Sequence, residues 1–256
     1  MNLHLNSELA ACYNSPTQKI RVITEAWAKD NMFCPYCGNP YIEHFAPNKP
    51  VADFYCPHCA EEYELKSKNG PIANKVNDGA YHTMIERIES INNPNFFFMQ
   101  YSRRDLSIKN LIVVPKHFFV PEIIEKRKPL GPKARRAGWI GCNIILKKIP
   151  QNGLIYVVKD EKEQPVDAII NKISRTNFIK QYKLDARGWI LDVLNCINKI
   201  EEDNFSLGQV YAFENVLAEK HPDNHHIRDK IRQQLQLLRD KGIIEFNGRG
   251  EYSKIP

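Results

Sequence analysis

The 256-residue sequence predicts an α/β domain, in which helices flank a mixed sheet, followed by a smaller helical domain that ends in a β-hairpin. Two apolar runs rich in aromatic and β-branched residues, 96–101 and 111–114, are typical of central strands. Segments with helical periodicity lie on both sides of these runs, and that combination favours an α/β architecture. The pattern becomes mainly helical near residue 183, so we expect domains at 1–182 and 183–256.

The first domain begins with a predicted helix at 15–30. Ser15-Pro16-Thr17-Gln18 has the pattern of a capping box with proline at the first helical position, and apolar residues follow at helical spacing. The remaining predicted elements besides the two central runs are strands at 51–55 and 63–67, a helix at 77–91, strands at 144–146 and 154–158 that could extend the same sheet, and a helix at 165–180.

The second domain is predicted to contain three helices and a hairpin. The first helix covers 185–200, the second opens at the capping box Ser206-Leu207-Gly208-Gln209 and runs to about 219, and the third covers 225–241. Asn247-Gly248 between two extended runs is a strong hairpin signal. Three helices closed by a β-hairpin are the parts of a winged helix.

The composition is that of a folded globular protein, with 43% hydrophobic residues. No apolar run approaches the roughly 20 residues that a membrane-spanning helix requires. The N-terminus lacks a basic region followed by an apolar core, so no secretory signal is visible and we expect a cytoplasmic protein. Nothing in the sequence indicates a membrane association or an obligate protein partner.

Positive charge is concentrated in one segment. The formal net charge is +6, and residues 126–148 hold eight Lys or Arg and no Asp or Glu. Such a block is typical of a polyanion-binding surface, and equally of a solvated loop. Charge alone does not separate these two interpretations.

Four of the seven cysteines form the pattern C-x2-C-x18-C-x2-C, made by Cys34, Cys37, Cys56 and Cys59. Two tight turns that each aim two thiolates at one point are typical of a tetrahedral Zn²⁺ site. Four protein ligands leave no open coordination position, so we expect a structural zinc. Cys12, Cys142 and Cys196 are interpreted as free or buried thiols.

Acidic and basic residues beside the second cysteine pair suggest a catalytic site. Glu64 and Lys66 lie two residues apart on a predicted strand and therefore share a face, and Asp53 joins them if its strand pairs with theirs. The two carboxylates, with the carbonyl of Leu65, are hard oxygen ligands for Mg²⁺. Phosphodiester hydrolysis needs such a metal site beside an activated water. The spacing alone is weak, but a zinc cluster between Asp53 and Glu64 would hold both strands in register.

Several segments resemble the DpnI-like, methyl-directed type II (type IIM) restriction endonucleases of the PD-(D/E)xK nuclease superfamily. They are D-F-Y-C-x-H-C-x-E-E-x-E-L-K-S-K, N-D-G-A-Y, N-P-N-F-F-F, A-R-R-A-G-W-I-G-C-N-I and I-R-Q-Q-L-Q-x-L-R-D-K. The resemblance runs from near residue 13 to the end of the chain. It implies a PD-(D/E)xK core with an inserted zinc knuckle, a C-terminal winged helix, and Mg²⁺-dependent cleavage of double-stranded GATC sites that carry N6-methyladenine.

The resemblance also implies roles for particular residues. It gives Asp53, Glu64 and Lys66 as the catalytic set and the four knuckle cysteines as zinc ligands. One departure from the superfamily pattern is Ala52, where a proline is usual before the aspartate. That proline is not required chemically.

Residues of both domains are candidates for contacts with DNA. In a winged helix the third helix enters the major groove, where arginine geometry suits guanine. On 225–241 the candidates are His225, His226, Arg228 and Arg232, and Arg249 lies at the hairpin tip. The alternative is that these arginines contact only phosphates or acidic neighbours.

The basic segment of the first domain adds Arg135, Arg136 and Trp139. The tryptophan could wedge against bases or line a methyl pocket, or it could anchor the loop to the core. The resemblance favours contact with DNA.

Two other functions fit the same residues. A non-catalytic DNA-binding regulator would use the zinc knuckle and winged helix as recognition modules, and a structure-specific repair nuclease would cut without reading a sequence.

Overall fold

The computed structural model describes residues 1–46, 52–72, 74–90 and 93–255. Within these ranges the α-helices are α1 (Pro16–Asn31), α2 (Tyr81–Glu89), α3 (Val166–Thr176), α4 (Leu184–Lys199), α5 (Leu207–Tyr211), α6 (Glu214–Lys220) and α7 (Ile227–Asp240). The strands are β1 (Glu43–His44), β2 (Phe54–Tyr55), β3 (Glu62–Asn69), β4 (Val76–Ala80), β5 (Asn95–Tyr101), β6 (Ile108–Val114), β7 (Ile124–Lys126), β8 (Gly141–Ile144), β9 (Ile155–Lys159), β10 (Lys162–Glu163), β11 (Asn204–Ser206), β12 (Ile244–Gly248) and β13 (Glu251–Lys254).

The main sheet of the first domain is mixed. Its strand order is β1-β2-β3-β5-β6-β9-β10. The β3–β5 pair is parallel, and the other pairs are antiparallel. Side chains alternate across a strand, so Phe96 and Phe98 of β5 join one hydrophobic cluster while Phe97 and Met99 join the other. Helices α1 and α3 cover the second cluster and α2 contributes to the first, which confirms the predicted α/β architecture.

A second, three-stranded sheet lies beside this core in the order β4-β8-β7. Strands β7 and β8 form a hairpin whose long connection, 127–140, contains most of the basic segment. Strand β4 pairs with β8, with Asp78 opposite Cys142 and Ala80 opposite Gly141. The base of the basic loop is therefore attached directly to β4.

The C-terminal domain has the predicted winged-helix parts. Its order is α4, β11, α5, α6, α7, β12, β13, and the three strands form a sheet in the order β11-β13-β12. The capping box at Ser206 is present, because its hydroxyl accepts from the Gln209 amide while the Gln209 side chain accepts from the Ser206 amide. Residues 212–213 interrupt the helix predicted after this box, giving α5 and α6.

The two domains share one hydrophobic cluster. It contains Phe98 and Phe118 of the first domain together with Leu194 of α4 and Leu235 of α7. Asn195 of α4 also donates to the carbonyl of Lys148 at 2.8 Å. The C-terminal domain is thus packed onto the first domain through a continuous apolar contact.

The structure corrects three predicted elements. The predicted helix at 77–91 begins only at Tyr81, because residues 76–80 form β4 with ladder partners on β8, and residue 91 lies outside the described residues. The predicted strand at 144–146 belongs to the smaller sheet and ends at Ile144. Ser15 precedes α1 but makes no side-chain capping bond, so the first capping box is absent.

Other predicted elements are present with small shifts. Of the strand predicted at 51–55, β2 covers Phe54–Tyr55, and Val51 lies outside the described residues. The helices predicted at 15–30, 185–200 and 225–241 correspond to α1, α4 and α7. In the described ranges, no helix combines the length and apolarity needed to cross a membrane.

A buried histidine near the junction of the domains makes the free energy of unfolding depend on pH. His117 is 1% exposed, and its Nε2 lies 3.0 Å from the Thr176 hydroxyl. Burial holds the pKa of His117 well below 6.5, and Lys180, Arg187 and Lys116 act in the same direction.

We expect this histidine to cost stability below about pH 6.5, because the unfolded chain then takes up a proton that the folded protein excludes. The free energy of unfolding should fall by up to about 1.4 kcal/mol per pH unit from this group. His117→Gln keeps a hydrogen-bonding group near Thr176, and chemical denaturation between pH 7 and 5.5 should show a shallower loss. His82→Gln, at an exposed histidine, is the control and should keep the parent slope. Equal slopes for all three proteins would contradict the assignment to His117.

Candidate active site and zinc site

The four knuckle cysteines converge at one end of the β2–β3 hairpin. Their Sγ atoms all lie within 4.8 Å of one another, with Cys34 and Cys59 at 3.5 Å and Cys37 and Cys56 at 3.6 Å. Sulfurs arranged tetrahedrally around zinc at about 2.3 Å would be about 3.8 Å apart. The cluster could therefore bind zinc. His58 is exposed and is not part of the cluster.

Both knuckles are built from the same backbone turn. The amide of Gly38 donates to the Cys34 carbonyl and the amide of Ala60 donates to the Cys56 carbonyl, each at 2.9 Å. Gly38 and Ala60 have φ values of 75° and 58°, so each knuckle ends in the left-handed region. This region favours glycine, and an alanine there costs on the order of 1 kcal/mol. The repeated turn is what aims two thiols of each knuckle at a common point.

Tyr63 connects the cysteine cluster to the sheet. Its hydroxyl lies 3.0 Å from Cys34 Sγ, and its ring stacks on Phe97 of β5 with centroids 4.8 Å apart. Tyr63 is fully buried and immediately precedes Glu64 on β3. The cluster and the strand that carries the candidate catalytic residues are therefore one packed unit.

The structure brings Asp53, Glu64 and Lys66 to the same end of the sheet. Glu64 and Lys66 lie on one face of β3, with Lys66 Nζ at 2.5 Å from Glu64 Oε1. The Asp53 amide donates to the Tyr63 carbonyl at 2.9 Å, and its Oδ2 accepts from the Leu65 amide at 2.8 Å. Asp53 is thus bonded to both chain neighbours of Glu64. The strand pairing that the sequence predicts is therefore present, whereas the cavity lined by Glu64 and Lys66 does not have Asp53 among its lining residues.

Burial and neighbouring charges both shift the pKa values of Asp53, Glu64 and Lys66. Burial raises the pKa of Asp53, and the hydrogen bond from the Leu65 amide opposes that effect. Burial also raises the pKa of Glu64, with Lys66 acting in the opposite direction and Asp78 in the same direction. For Lys66, burial alone would lower the pKa, but Glu64 and Asp78 outweigh it and the pKa is raised. Lys66 is consequently a cation held between carboxylates.

Two charged residues of this site, Asp78 and Arg87, are not predicted from the sequence. Lys66 Nζ forms an ion pair with Asp78 of β4, and Arg87 Nη1 of α2 lies 3.2 Å from Glu64 Oε2. Both fall in the segment predicted as a continuous helix, where Asn77-Asp78 has the pattern of a helix start. The four charged groups line a cavity of about 260 Å³ together with Gly79, Ala80, Thr83 and Met84. The ion pair with Lys66 and the lining of this cavity show that Asp78 belongs to the site.

On the C-terminal domain, the candidate DNA contacts lie at the start of α7 and at the hairpin tip. His225, His226, Arg228, Arg232 and Arg249 are all exposed. Arg249 occupies the left-handed position of the turn, with φ 53°. Gln234, near these candidates in sequence, is buried and cannot reach a groove.

The two arginines of α7 have partners within the domain. Arg228 Nε lies 2.8 Å from Glu214 Oε2, and its guanidinium lies over the Tyr211 ring. Arg232 pairs with Asp229 and donates to the Tyr211 hydroxyl at 3.0 Å. Since these pairs are solvent-exposed, they are worth little and can be exchanged for phosphates or bases.

The basic loop carries the other candidates. Arg135 and Arg136 are exposed, and the Arg136 guanidinium lies 4.8 Å from the Trp139 ring centroid. Trp139 is half-buried, and a Cβ added at Gly141 would lie 2.8 Å from its ring atoms. The ring therefore packs closely over the start of β8 and still exposes part of its surface.

The base of the basic loop is hydrogen-bonded to the end of β4, the strand that carries Asp78. The Tyr81 amide, one residue after β4, donates to the Ile140 carbonyl at 3.1 Å. Trp139 and Asp78 are therefore carried by adjoining segments of one small sheet.

Comparison with known families assigns both parts of the chain. Residues 1–182 match the family model described as DpnI, the Dam-replacing family, and residues 185–254 match the model of its C-terminal part, the Dam-replacing HTH domain. The first match covers more than half of the chain. These matches confirm the resemblance seen in the sequence motifs.

We expect one zinc ion per chain, bound through the knuckle cysteines. Cys37→Ser should lose the metal and lower the melting temperature, because the two knuckles would no longer be joined. Metal analysis of the purified protein and thermal unfolding measure the two effects. Cys12→Ser changes an exposed cysteine outside the cluster and should keep both. A metal-free protein with the stability of the parent would contradict the zinc assignment.

Proposed function

Because the chain belongs to the DpnI, or Dam-replacing, family, we propose that it is a type II restriction endonuclease that cuts double-stranded DNA at GATC sites carrying N6-methyladenine. The observation that supports the proposal is the pairing of β2 with β3, in which Asp53 Oδ2 accepts from the amide of Leu65, the residue between the ion-paired Glu64 and Lys66. Hydrolysis would depend on Mg²⁺, for which two carboxylates offer hard oxygen ligands.

The catalytic roles follow from the positions of the side chains. Asp53 and Glu64 would hold the ion, with the Leu65 carbonyl as a third ligand. Bound there, Mg²⁺ would neutralise the phosphate and activate a water. The Leu65 amide fixes the orientation of the Asp53 carboxylate through the 2.8 Å hydrogen bond. Lys66, kept cationic by its carboxylate neighbours, would orient the attacking water and stabilise the charge that develops on the phosphate.

The zinc site would be structural in this enzyme. The four cysteines would fill a tetrahedral shell, so no position would remain for a substrate. Cys56 directly follows β2, and Cys59 lies three residues before β3. A metal at this point would keep the two strands in register, and the register is what sets Asp53 beside Glu64.

DNA binding would use both domains. Arg228 and Arg232 on α7 would enter the major groove, and Arg249 would contact the backbone or minor groove. His225 and His226 flank the same helix start. Arg135, Arg136 and Trp139 would contact DNA beside the catalytic site, since their loop adjoins β4.

Recognition of the methyl group requires more than its burial. One methyl removed from water contributes only about 1 kcal/mol. Strong discrimination would therefore need reading by both domains or an energetic penalty for unmethylated DNA. The half-exposed Trp139 ring offers an apolar surface for a methyl group near the cleavage site.

Plasmid DNA prepared with and without adenine methylation tests the proposal. We expect cutting of methylated DNA at GATC in the presence of Mg²⁺ and none without the ion. Glu64→Gln should lower the cleavage rate by about 1,000-fold or more, as the loss of a catalytic residue commonly does, while leaving DNA binding intact.

Two results would point to other functions. Equal cutting of both plasmids, or scattered cutting of branched DNA, would favour a structure-specific repair nuclease. Binding without cutting, unchanged by Glu64→Gln, would favour a non-catalytic regulator. Glu89→Gln, an exposed position at the end of α2, serves as the carboxylate control and should cut at the parent rate.

The contribution of α7 to DNA binding can be tested separately. Arg232→Ala should weaken binding to methylated GATC duplex by roughly tenfold or more if its guanidinium contacts a base. Arg239→Ala removes an arginine from the other end of α7, where it pairs with Asp240, and should bind like the parent. Fluorescence anisotropy at fixed salt measures both. Equal affinities for the two variants would exclude Arg232 as a DNA contact.

A further inference from the structure

Lys66 lies between two carboxylates that come from different sheets. Glu64 is on its own strand, and Asp78 is on β4 of the smaller sheet. The Asp78 side chain is only 5% exposed. A carboxylate this deeply buried requires a cationic or hydrogen-bonding partner, and Lys66 supplies it.

The position of Asp78 does not depend on the strand that carries Lys66. Strand β4 is held by β8, with Val76, Asn77, Asp78 and Ala80 all in register with β8 residues. The Tyr81 amide extends this attachment through its hydrogen bond to Ile140. Asp78 is thus held in place by a different sheet from the one that carries Lys66.

Glu64 by itself could not keep Lys66 in place during the reaction. Its Oε1 contacts Lys66 and its Oε2 contacts Arg87, so both oxygens already face cations. A divalent cation bound to Glu64 would repel an ammonium group at the same carboxylate. Asp78, on a strand of a different sheet, offers the ammonium a second carboxylate.

We propose that Asp78 is a positioning residue that holds the Lys66 ammonium in the active-site cavity when Glu64 is engaged elsewhere. This inference rests on the proposed nuclease function for its effect on rate. The Asp78–Lys66 contact itself belongs to the protein before any ion or DNA binds. Asp78 has no ligand role in this assignment, and it acts on the reaction only through Lys66.

A double-mutant cycle on the protein without added Mg²⁺, its knuckle metal retained, tests the contact without using activity. Asp78→Asn and Lys66→Met, alone and combined, are compared by thermal unfolding. The melting-temperature loss of the double variant should be smaller than the sum of the single losses by roughly 2 °C or more, because both single changes remove the same pair. Additive losses would overturn the proposal.

Kinetics test the positioning role. At saturating Mg²⁺ and methylated DNA, the single-turnover rate constant of Asp78→Asn should fall by roughly 10- to 100-fold, the range common for residues that orient a site. Its affinity for DNA without divalent ions should stay within about twofold of the parent, because the Asp78 side chain is only 5% exposed. Asn77→Ser, on the same strand at an exposed position, is the control and should match the parent in both.

Failure of the nuclease proposal and failure of the positioning role of Asp78 would give different results. A parent protein that does not cut methylated DNA would refute the nuclease proposal, and the unfolding cycle would still decide the contact. A parent that cuts, with Asp78→Asn equally fast or weakened only in DNA affinity, would overturn the positioning role alone. Asp78→Glu keeps a carboxylate and should recover part of the rate lost in Asp78→Asn. No recovery would likewise count against the proposal.

Discussion

The pairing of β2 with β3 is the constraint on which the candidate site depends. Phe54 stands opposite Tyr63, and this register sets Asp53 beside Glu64. Because side chains alternate along a strand, a slip by one residue would turn Glu64 and Lys66 away from the cavity and expose the buried Tyr63. Two residues of β2 could not secure this register alone. The cysteine knuckles at the hairpin end and the stacked Tyr63–Phe97 pair supply the remaining restraint.

The site is also an electrostatic balance. Glu64 and Asp78 face Lys66 and Arg87, so two negative and two positive groups are buried together. The pairing offsets much of the cost of removing each charge from water. Asp53 stands outside this balanced group, held by a backbone amide. A positive ion arriving at Asp53 and Glu64 would therefore meet net negative charge, which favours its binding.

Periodicity and spacing predict those parts of the molecule whose signals are local. The helices at α1, α4 and α7, the central strands and the C-terminal hairpin follow from apolar patterns and turn residues, and the C-x2-C spacing predicts the cysteine cluster. Strand β4 has no such signal, because N-D-G-A-Y looks like a helix start and becomes a strand only through its ladder with β8. Asp78 and Arg87 are consequently invisible to sequence patterns. The family is confirmed, whereas the target site and the Mg²⁺ requirement stay predictions.

The apolar contact between the domains limits how the protein can be divided. Phe118 of the first domain and Leu194 of the second are both fully or almost fully buried in one cluster. A fragment cut near residue 183 would expose these surfaces to water and invite aggregation. The helix-turn-helix part is therefore not an interchangeable cassette. Grafting it onto another protein would first require a redesign of the face of α4 that the N-terminal domain now covers.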